Sequence, residues 1–262
     1  MSQAPGNYGE QARTYDLTRG ASPTVLRTMS SFLGPPERRR LLDIAGGTGN
    51  YTAALQARGF DVVITDLQPA MLARSIPKVG GGRQVVSDAT ALPFRHHSFD
   101  CATIVTAIHL IRPPERALAE ARRVLRDGPL VVVAFTLENV GPLFIREYFP
   151  TADIPFDENP PRERLLSLMR SAGFGRVEWE KFVYTDSVDG TLLSLHTDPV
   201  RLAGPAYLRN TSFFQRVPEA ARAEGLARLG RDLRSGVLEE RVKEAYRQSL
   251  AEGHGAVFAC WP

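Results

Sequence analysis

The sequence predicts an α/β fold: a seven-stranded, mostly parallel sheet with helices on both faces and a helical cap inserted between the last two strands. Three observations lead there. In the first half, short apolar runs alternate with helix-like segments, the pattern of parallel strands joined by right-handed crossovers. One of those runs, PLVVVAF at 129–135, is apolar throughout, as in a strand buried on both faces. Between a sixth strand and a final apolar run lie about 70 residues, roughly 185–255, patterned as amphipathic helices; a structureless loop of that length is foreign to a compact domain.

The elements follow in order. Residues 23–33 predict a helix, with Ser22 as its N-cap and Pro23 at its first position. RLLDIA at 40–45 is the first strand, and the helix over 50–58 ends at Gly59. VVIT at 62–65 is the second strand, and Pro69 opens a helix over 69–75. QVVSD at 84–88 is the third strand and DCATIVTA at 100–107 the fourth. A helix over 114–126 leads to the fifth strand at 129–135. A further helix over 161–172 stops at Gly173. GRVEWEKFVY at 175–184 is the sixth strand, with Val177, Trp179, Lys181 and Val183 on one face, and AVFACW at 256–261 is the seventh. The cap includes helices at 218–234 and 237–251. The chain therefore divides into a main domain, 1–184 plus 255–262, and a cap, 185–254.

Composition excludes several classes. A chain of 262 residues with 43% hydrophobic content supports one large core, and 23% charged residues argue against global disorder. The net charge is only +3, and no block of five like charges occurs. The densest basic run, Arg38-Arg39-Arg40, leads into the first strand and reads as its solvated start, so no nucleic-acid partner is expected. Cys101 and Cys260 read as buried thiols rather than a disulfide, and no metal-site spacing appears. The N-terminus lacks an apolar signal region, and no apolar run reaches the length of a membrane span; a cytoplasmic protein with no membrane partner, monomer or homodimer, is expected.

The chemistry starts at LLDIAGGTGN, 41–50. A strand carries Asp43 near its end, a turn follows through Ala45, Gly46, Gly47, Thr48 and Gly49, and a helix begins. Glycines let the backbone approach a ligand and adopt positive φ. The position matches the crevice outside the carboxyl ends of open α/β sheets, although a tight strand–helix connection explains a lone turn equally well. Asp66 ends the second strand, where a carboxylate can accept both hydroxyls of a ribose. Asp88 ends the third, where one can accept from the amino group of adenine. Three aspartates at three successive strand ends, beside the turn, are hard to ascribe to chance. A dehydrogenase fingerprint would place a third glycine where Thr52 stands.

These segments resemble the class I S-adenosyl-L-methionine (SAM)-dependent methyltransferases, a Rossmann-like family, and in particular its quinone-methylating and natural-product branch. LDIAGGTGNYT is similar to the first motif, VVITDLQPAML to the second and SDATALPFRHHSFD to the third. IVTAIHLI and RVLRDGPLVVVAF resemble its fourth and fifth strands, and ARTYDLTRG the segment that folds over the cofactor. The likeness covers 12–135 in detail and the rest by topology. Ala45 departs from the usual first glycine, and 125–129 from the usual turn before the fifth strand. The resemblance implies SAM as cofactor, S-adenosyl-L-homocysteine as product and a small-molecule acceptor in secondary metabolism, with no metal. It implies that the turn, Ala45, Gly46, Gly47 and Gly49, packs on the methionine part and that Asp43 reaches the ammonium. Asp66 holds the ribose, Leu67 and Met71 pack on the nucleotide, and Asp88 and Ala89 read the adenine edge. Thr106 offers its backbone, and Tyr15 and Arg19 close from above.

For proton removal, His109 just beyond the fourth strand is the first candidate base, the alternative being a residue that merely closes its loop. His196, at the start of the cap, is the second; His254 reads as structural. Tyr8, Tyr207, Phe213 and Phe214 are candidate substrate contacts, against the alternative that such aromatics only pack the cap. Two other function classes stay open beside a small-molecule enzyme: an RNA or protein methyltransferase, which a salt-sensitive affinity for RNA would mark, and a SAM-binding fold without methyl transfer.

Overall fold

The computed structural model describes residues 8–140, 143–149 and 159–262. Seven strands form one sheet in the order β3-β2-β1-β4-β5-β7-β6. They are β1 Arg40–Ile44, β2 Asp61–Asp66, β3 Gln84–Val86, β4 Cys101–Val105, β5 Leu130–Ala134, β6 Arg176–Phe182 and β7 Gly255–Trp261. β1 to β5 are mutually parallel, and β7 runs antiparallel between β5 and β6. Strand order reverses beside β1, which opens a crevice at the carboxyl ends of β1 and β4.

Alternation along the strands builds two cores. Leu42, Ile44, Ala102, Ile104, Val132 and Phe258 face helices Pro114–Val124 and Arg162–Ser171. Leu41, Val62, Cys101, Val131, Val133 and Val257 face helices Pro23–Leu33 and Asn50–Ala57. The first helix starts as its sequence dictates: the Ser22 side chain accepts from the Val25 amide. Helix Pro69–Val79 runs one turn beyond the expected 75 and takes Pro77 into its last turn. β3 stops at Val86, so Asp88 stands two residues past the strand instead of ending it. Edge strand β6 is largely exposed, with Phe182 buried and Val177 half-buried, and Trp179 stacks under the Arg162 guanidinium at 4.2 Å. Both cysteines are buried free thiols, and burial pushes each up to about 12. Arg39 and Arg40 are anchored rather than simply solvated: each reaches a backbone oxygen, of Asp100 and Ser98 respectively.

The segment between β6 and β7 folds into short helical turns followed by helices Glu219–Ser235 and Val237–Ser249. Its apolar cluster, with Tyr207, Phe214, Leu229 and Leu238, also takes in Phe144, Ile145, Tyr148 and Phe149 from the stretch after β5. Packing thus draws 143–149 to the cap side. None of the helices among the described residues is long and apolar enough to cross a membrane.

Candidate functional site

A cavity of about 380 Å³ lies at the carboxyl ends of the parallel strands. Its floor comes from each of them in turn: Asp43 near the end of β1 and Ala45–Thr48 after it, Asp66 at the end of β2 with Leu67 and Gln68, Ser87–Ala89 after β3, Val105 at the end of β4 with Thr106 and Ala107, and Phe135 after β5. The cap and an N-terminal arm roof it.

The turn 45–49 is shaped by three left-handed residues. Ala45, Gly47 and Gly49 have φ of 56°, 59° and 78°. A Cβ on Gly46 would lie 2.7 Å from both the Asp43 carboxylate and Ile64 Cγ1, so only glycine fits between β1 and β2. A Cβ on Gly47 would meet nothing within 4 Å, and Gly47 lines the cavity. Gly49 is different: it caps helix Asn50–Ala57, and its Cα faces Ser75 instead of the cavity. Thr106 also sits at positive φ, 49°, with its amide bonded to the Val133 carbonyl at 2.8 Å. Left-handed conformations are costly for residues with a Cβ and cluster at ligand sites.

Asp43 is 1% exposed. Thr103 donates to its Oδ1 at 2.8 Å and Thr52 to its Oδ2 at 2.5 Å. Burial outweighs these bonds, and the nearby Asp66 adds to it, so the pKa rises to about 6. Asp66 accepts from the Gly47 amide at 2.9 Å and the Gln68 amide at 2.8 Å; its pKa is also raised by burial, against those amides. Asp88 is exposed and folded into a local turn, accepting from the Thr90 amide and hydroxyl, each at 2.8 Å. Leu67, which is 60% exposed, and the buried Met71 and Ala89 also line the cavity.

The arm is held by ion pairs that the sequence did not announce. Asp16 accepts from Thr48 at 2.6 Å and from Asn50 at 3.1 Å, and pairs with Lys78 at 2.9 Å. Burial opposes the ionisation of Asp16, but Thr48, Lys78 and Asn50 together hold its pKa below the usual value. Tyr15 and Arg19 consequently line the cavity, and Arg19 faces Asp189 at 3.6 Å. Asp189 also accepts from the Tyr51 hydroxyl at 3.1 Å. Tyr51, Asp189 and Thr191 line the cavity and are absent from the sequence reading. The Asp-Gly dipeptide at 189–190, a turn signal right after the sixth strand, was the clue available.

His109 stands on the short turn Ile108–Leu110 and lines the cavity, as does Phe213. His196 does not. It sits in a small separate cleft, with Nδ1 3.0 Å from the Leu193 carbonyl and Nε2 2.8 Å from the Tyr184 carbonyl; the neutral ring that burial favours donates to one of these oxygens, and both nitrogens face backbone instead of the cavity. His254, 4.1 Å away ring to ring, accepts from the Tyr184 amide and donates to Ser249; burial drives its pKa down to about 3. Tyr207 and Phe214 are 2% and 0% exposed and lie in the cap's own core. Tyr8 opens the helical turn Tyr8–Gln11, and its side chain lies outside the described residues.

Residues 42–133 match the family described as "Methyltransferase domain". The ubiquinone/menaquinone biosynthesis C-methyltransferase of Paracoccus denitrificans is 33% identical over 194 residues, 63% of this chain and 78% of that protein. The demethylmenaquinone methyltransferase of Clavibacter sepedonicus is 33% identical over 211 residues, 68% of this chain and 86% of that one. The chain belongs to the class I SAM-dependent methyltransferases. The fold of this methyltransferase is shared more widely. A candidate methyltransferase from an antibiotic biosynthesis pathway of Anabaena variabilis superposes with a TM-score of 0.81 at 22% identity, over 94% of this chain and 99% of that one.

The residues of the methyltransferase fit its cofactor. The open face of Gly47 admits a ligand against the backbone. Buried carboxylates beside it suit a ligand bearing an ammonium and a sulfonium, and the exposed Leu67 offers an apolar surface to a purine.

Proposed function

We propose that this enzyme transfers the methyl group of SAM to an O, N or C atom of a small-molecule acceptor, in secondary metabolism, and that the cap covers that acceptor. One observation carries the reading. Beyond the strand-end residues the cavity is lined by Phe135, Val140, Leu192, Leu193 and Phe213, together with Asn159, Thr191, Thr211 and Arg216; Leu192, Leu193 and Phe213 come from the cap segment. Apolar walls with a few polar groups among them suit a small molecule with an apolar body. The names of the relatives, both methyltransferases of quinone substrates or quinone biosynthesis, support an acceptor of that kind.

SAM supplies a methyl group already activated on sulfur. The work left to the protein is to orient and to exclude water, which can lower a barrier by roughly 7–11 kcal/mol. In this reading Asp66 holds the ribose hydroxyls, Leu67 and Met71 pack on the purine, and Asp88 with the Ala89 amide reads its edge. Asp43 attracts the ammonium, the 45–49 turn and the Thr106 backbone shape the amino-acid end, and Tyr15 and Arg19 close the arm. His109 takes the proton where the acceptor must lose one. Calorimetric titration with SAM and S-adenosyl-L-homocysteine, with Asp66→Ala beside the natural chain, tests the cofactor half. Labelled SAM offered with phenols, quinols and amines tests the acceptor half. Failure of the folded protein to bind either nucleotide would sink the reading.

A further inference from the structure

The arm turn Thr14–Arg19 is gripped from two sides. On one side the Asp16 carboxylate accepts from Thr48 and Asn50, and Asn50 also donates to the Arg19 carbonyl at 3.0 Å, which binds the arm to the cofactor turn and the helix it opens. On the other side stands Asn210, the last residue of the cap helix Pro205–Asn210. Its side-chain oxygen accepts from the Thr14 hydroxyl at 2.8 Å, and its nitrogen donates to the Thr14 carbonyl at 2.6 Å and to the Thr18 hydroxyl at 3.1 Å. Between the two grips, Tyr15 and Arg19 line the cavity.

Asn210 is 3% exposed, and its three bonds reach residues 192 and 196 positions away in sequence. The buried amide therefore joins two segments instead of capping its own helix, and a buried polar group satisfied in this way holds its surroundings rigid. What it holds is a wall of the cavity. Thr211 follows directly, its hydroxyl donating to the Tyr207 carbonyl at 2.8 Å, and both Thr211 and Phe213 line the cavity. One connected path thus runs from the cofactor turn through Asp16 to Thr14 and Thr18, then through Asn210 to the wall. A second tie, from the Gly190 amide to the Thr18 carbonyl at 2.9 Å, holds the arm independently of Asn210. Ordering an arm costs conformational entropy; a ligand that fixes it lowers the cost of fixing whatever the arm is bonded to.

Resting on the methyltransferase reading above, we propose that Asn210 is a positioning residue that couples the two halves of the cavity. A nucleotide lying against Tyr15 and Arg19 fixes the arm, and through Asn210 the arm fixes the cap wall Thr211–Phe213 on the acceptor side. Filling the cofactor site thereby shapes the acceptor site before the acceptor arrives.

The test is amide hydrogen exchange on the full chain with and without saturating S-adenosyl-L-homocysteine. In the natural chain the nucleotide is expected to slow exchange over 14–19 and over 205–214 by about fivefold or more, the lower end of ordinary coupling between sites, with helix Val237–Ser249 changed much less. In Asn210→Ala the arm is expected to slow as before, because Asp16 and Gly190 still hold it, while 205–214 responds by less than about twofold. A purely structural Asn210 would give a different result: faster exchange over 205–214 in both states, with the response to nucleotide intact. Thr14→Val, on the half-buried arm, removes one of the three bonds from the other side; it is expected to weaken the response in the same direction and carries the test if Asn210→Ala does not fold. No slowing over 205–214 in a chain that binds the nucleotide, a slowing shared equally by helix Val237–Ser249, or a response that survives in the variants overturns the proposal. Failure of the natural chain to bind S-adenosyl-L-homocysteine at all is a separate result, and it removes the methyltransferase reading itself.

Discussion

Thr103 on β4 donates to Asp43 on β1 at 2.8 Å, which ties a carboxylate buried to 1% exposure to the neighbouring strand at the point where the cofactor crevice opens. Burial holds that carboxyl near a pKa of about 6. A raised folded pKa means that the ionised form is disfavoured: the apo fold is most comfortable below the unfolded value, and this contribution is lost as pH rises through about 6. A bound ammonium reverses the preference, because it favours the carboxylate. Affinity for S-adenosyl-L-homocysteine is therefore expected to strengthen with rising pH, by about tenfold between pH 5 and pH 7, with proton release on binding near pH 6. Calorimetry in two buffers of different ionisation enthalpy measures both. A flat profile would mean that Asp43 does not meet the ligand's charge.

Thr103→Val removes one of the two hydroxyls that stabilise the Asp43 carboxylate and leaves shape almost unchanged. The hydrogen bond to a charged group is worth roughly 1.5–3 kcal/mol. Its loss is expected to push the Asp43 pKa further up, so the midpoint of the affinity–pH curve should move up by about one unit. An unmoved midpoint with lowered thermal stability would show the bond to be structural only.

Adjacent glycines in the turn are expected to separate fold from function. Gly46→Ala drives its methyl against Asp43 and Ile64 at 2.7 Å and should destabilise the protein by about 1–3 kcal/mol, as overpacking does. Gly47→Val points instead into open space on the cavity side. It carries a cost of roughly 1–2 kcal/mol for its positive φ, and it should abolish nucleotide binding while the protein still folds. Thermal unfolding and calorimetry on both variants check the split; nucleotide affinity retained in Gly47→Val would move the cofactor off this turn.

Ala45→Gly tests the departure from the motif. Alanine at φ 56° is strained, and glycine relieves it. A gain of about 1 kcal/mol is expected, which is roughly 2–4 °C in Tm for a chain of this size. A lower Tm would mean that the methyl group's packing outweighs the strain.

How far the sequence reaches depends on whether a signal is local. Asp43, Asp66 and the turn between them were legible because strand periodicity and glycine chemistry are properties of a few neighbouring residues. Asp88 was legible as a lining residue but not in its local setting, since β3 gives out at Val86 and a turn takes over. His196 illustrates the opposite limit: its place at the start of the cap suggested a role, whereas its two ring nitrogens turn back onto carbonyls fixed by tertiary packing. Asp189 was missed for the same reason in reverse, because its partners at the cavity, Arg19 and Thr18 of the arm and Tyr51, meet it only in the folded chain.

The adjacent pair Phe213 and Phe214 shows why cap aromatics could not be sorted from sequence, and it supplies the last prediction. The two rings lie 4.8 Å apart in an edge-to-face contact and both pack edge-on against Phe149 within the cap's core, yet only Phe213 also reaches the cavity wall. One step along a helical turn rotates a side chain by about 100°, so neighbours face different surroundings, and which one faces the site is decided by how the cap docks. Phe214→Ala is expected to cost about 3–5 kcal/mol through the cavity it leaves. Because that loss falls on the cap, proteolytic cutting within 185–254 should increase while nucleotide affinity changes little. Phe213→Ala should also lower thermal stability, since that ring is buried in the same cluster, and should in addition raise KM for the acceptor, with kcat and nucleotide affinity moved less. If Phe214→Ala instead impaired the acceptor step in a protein whose cap resists protease as well as before, the assignment of the two faces would have to be exchanged.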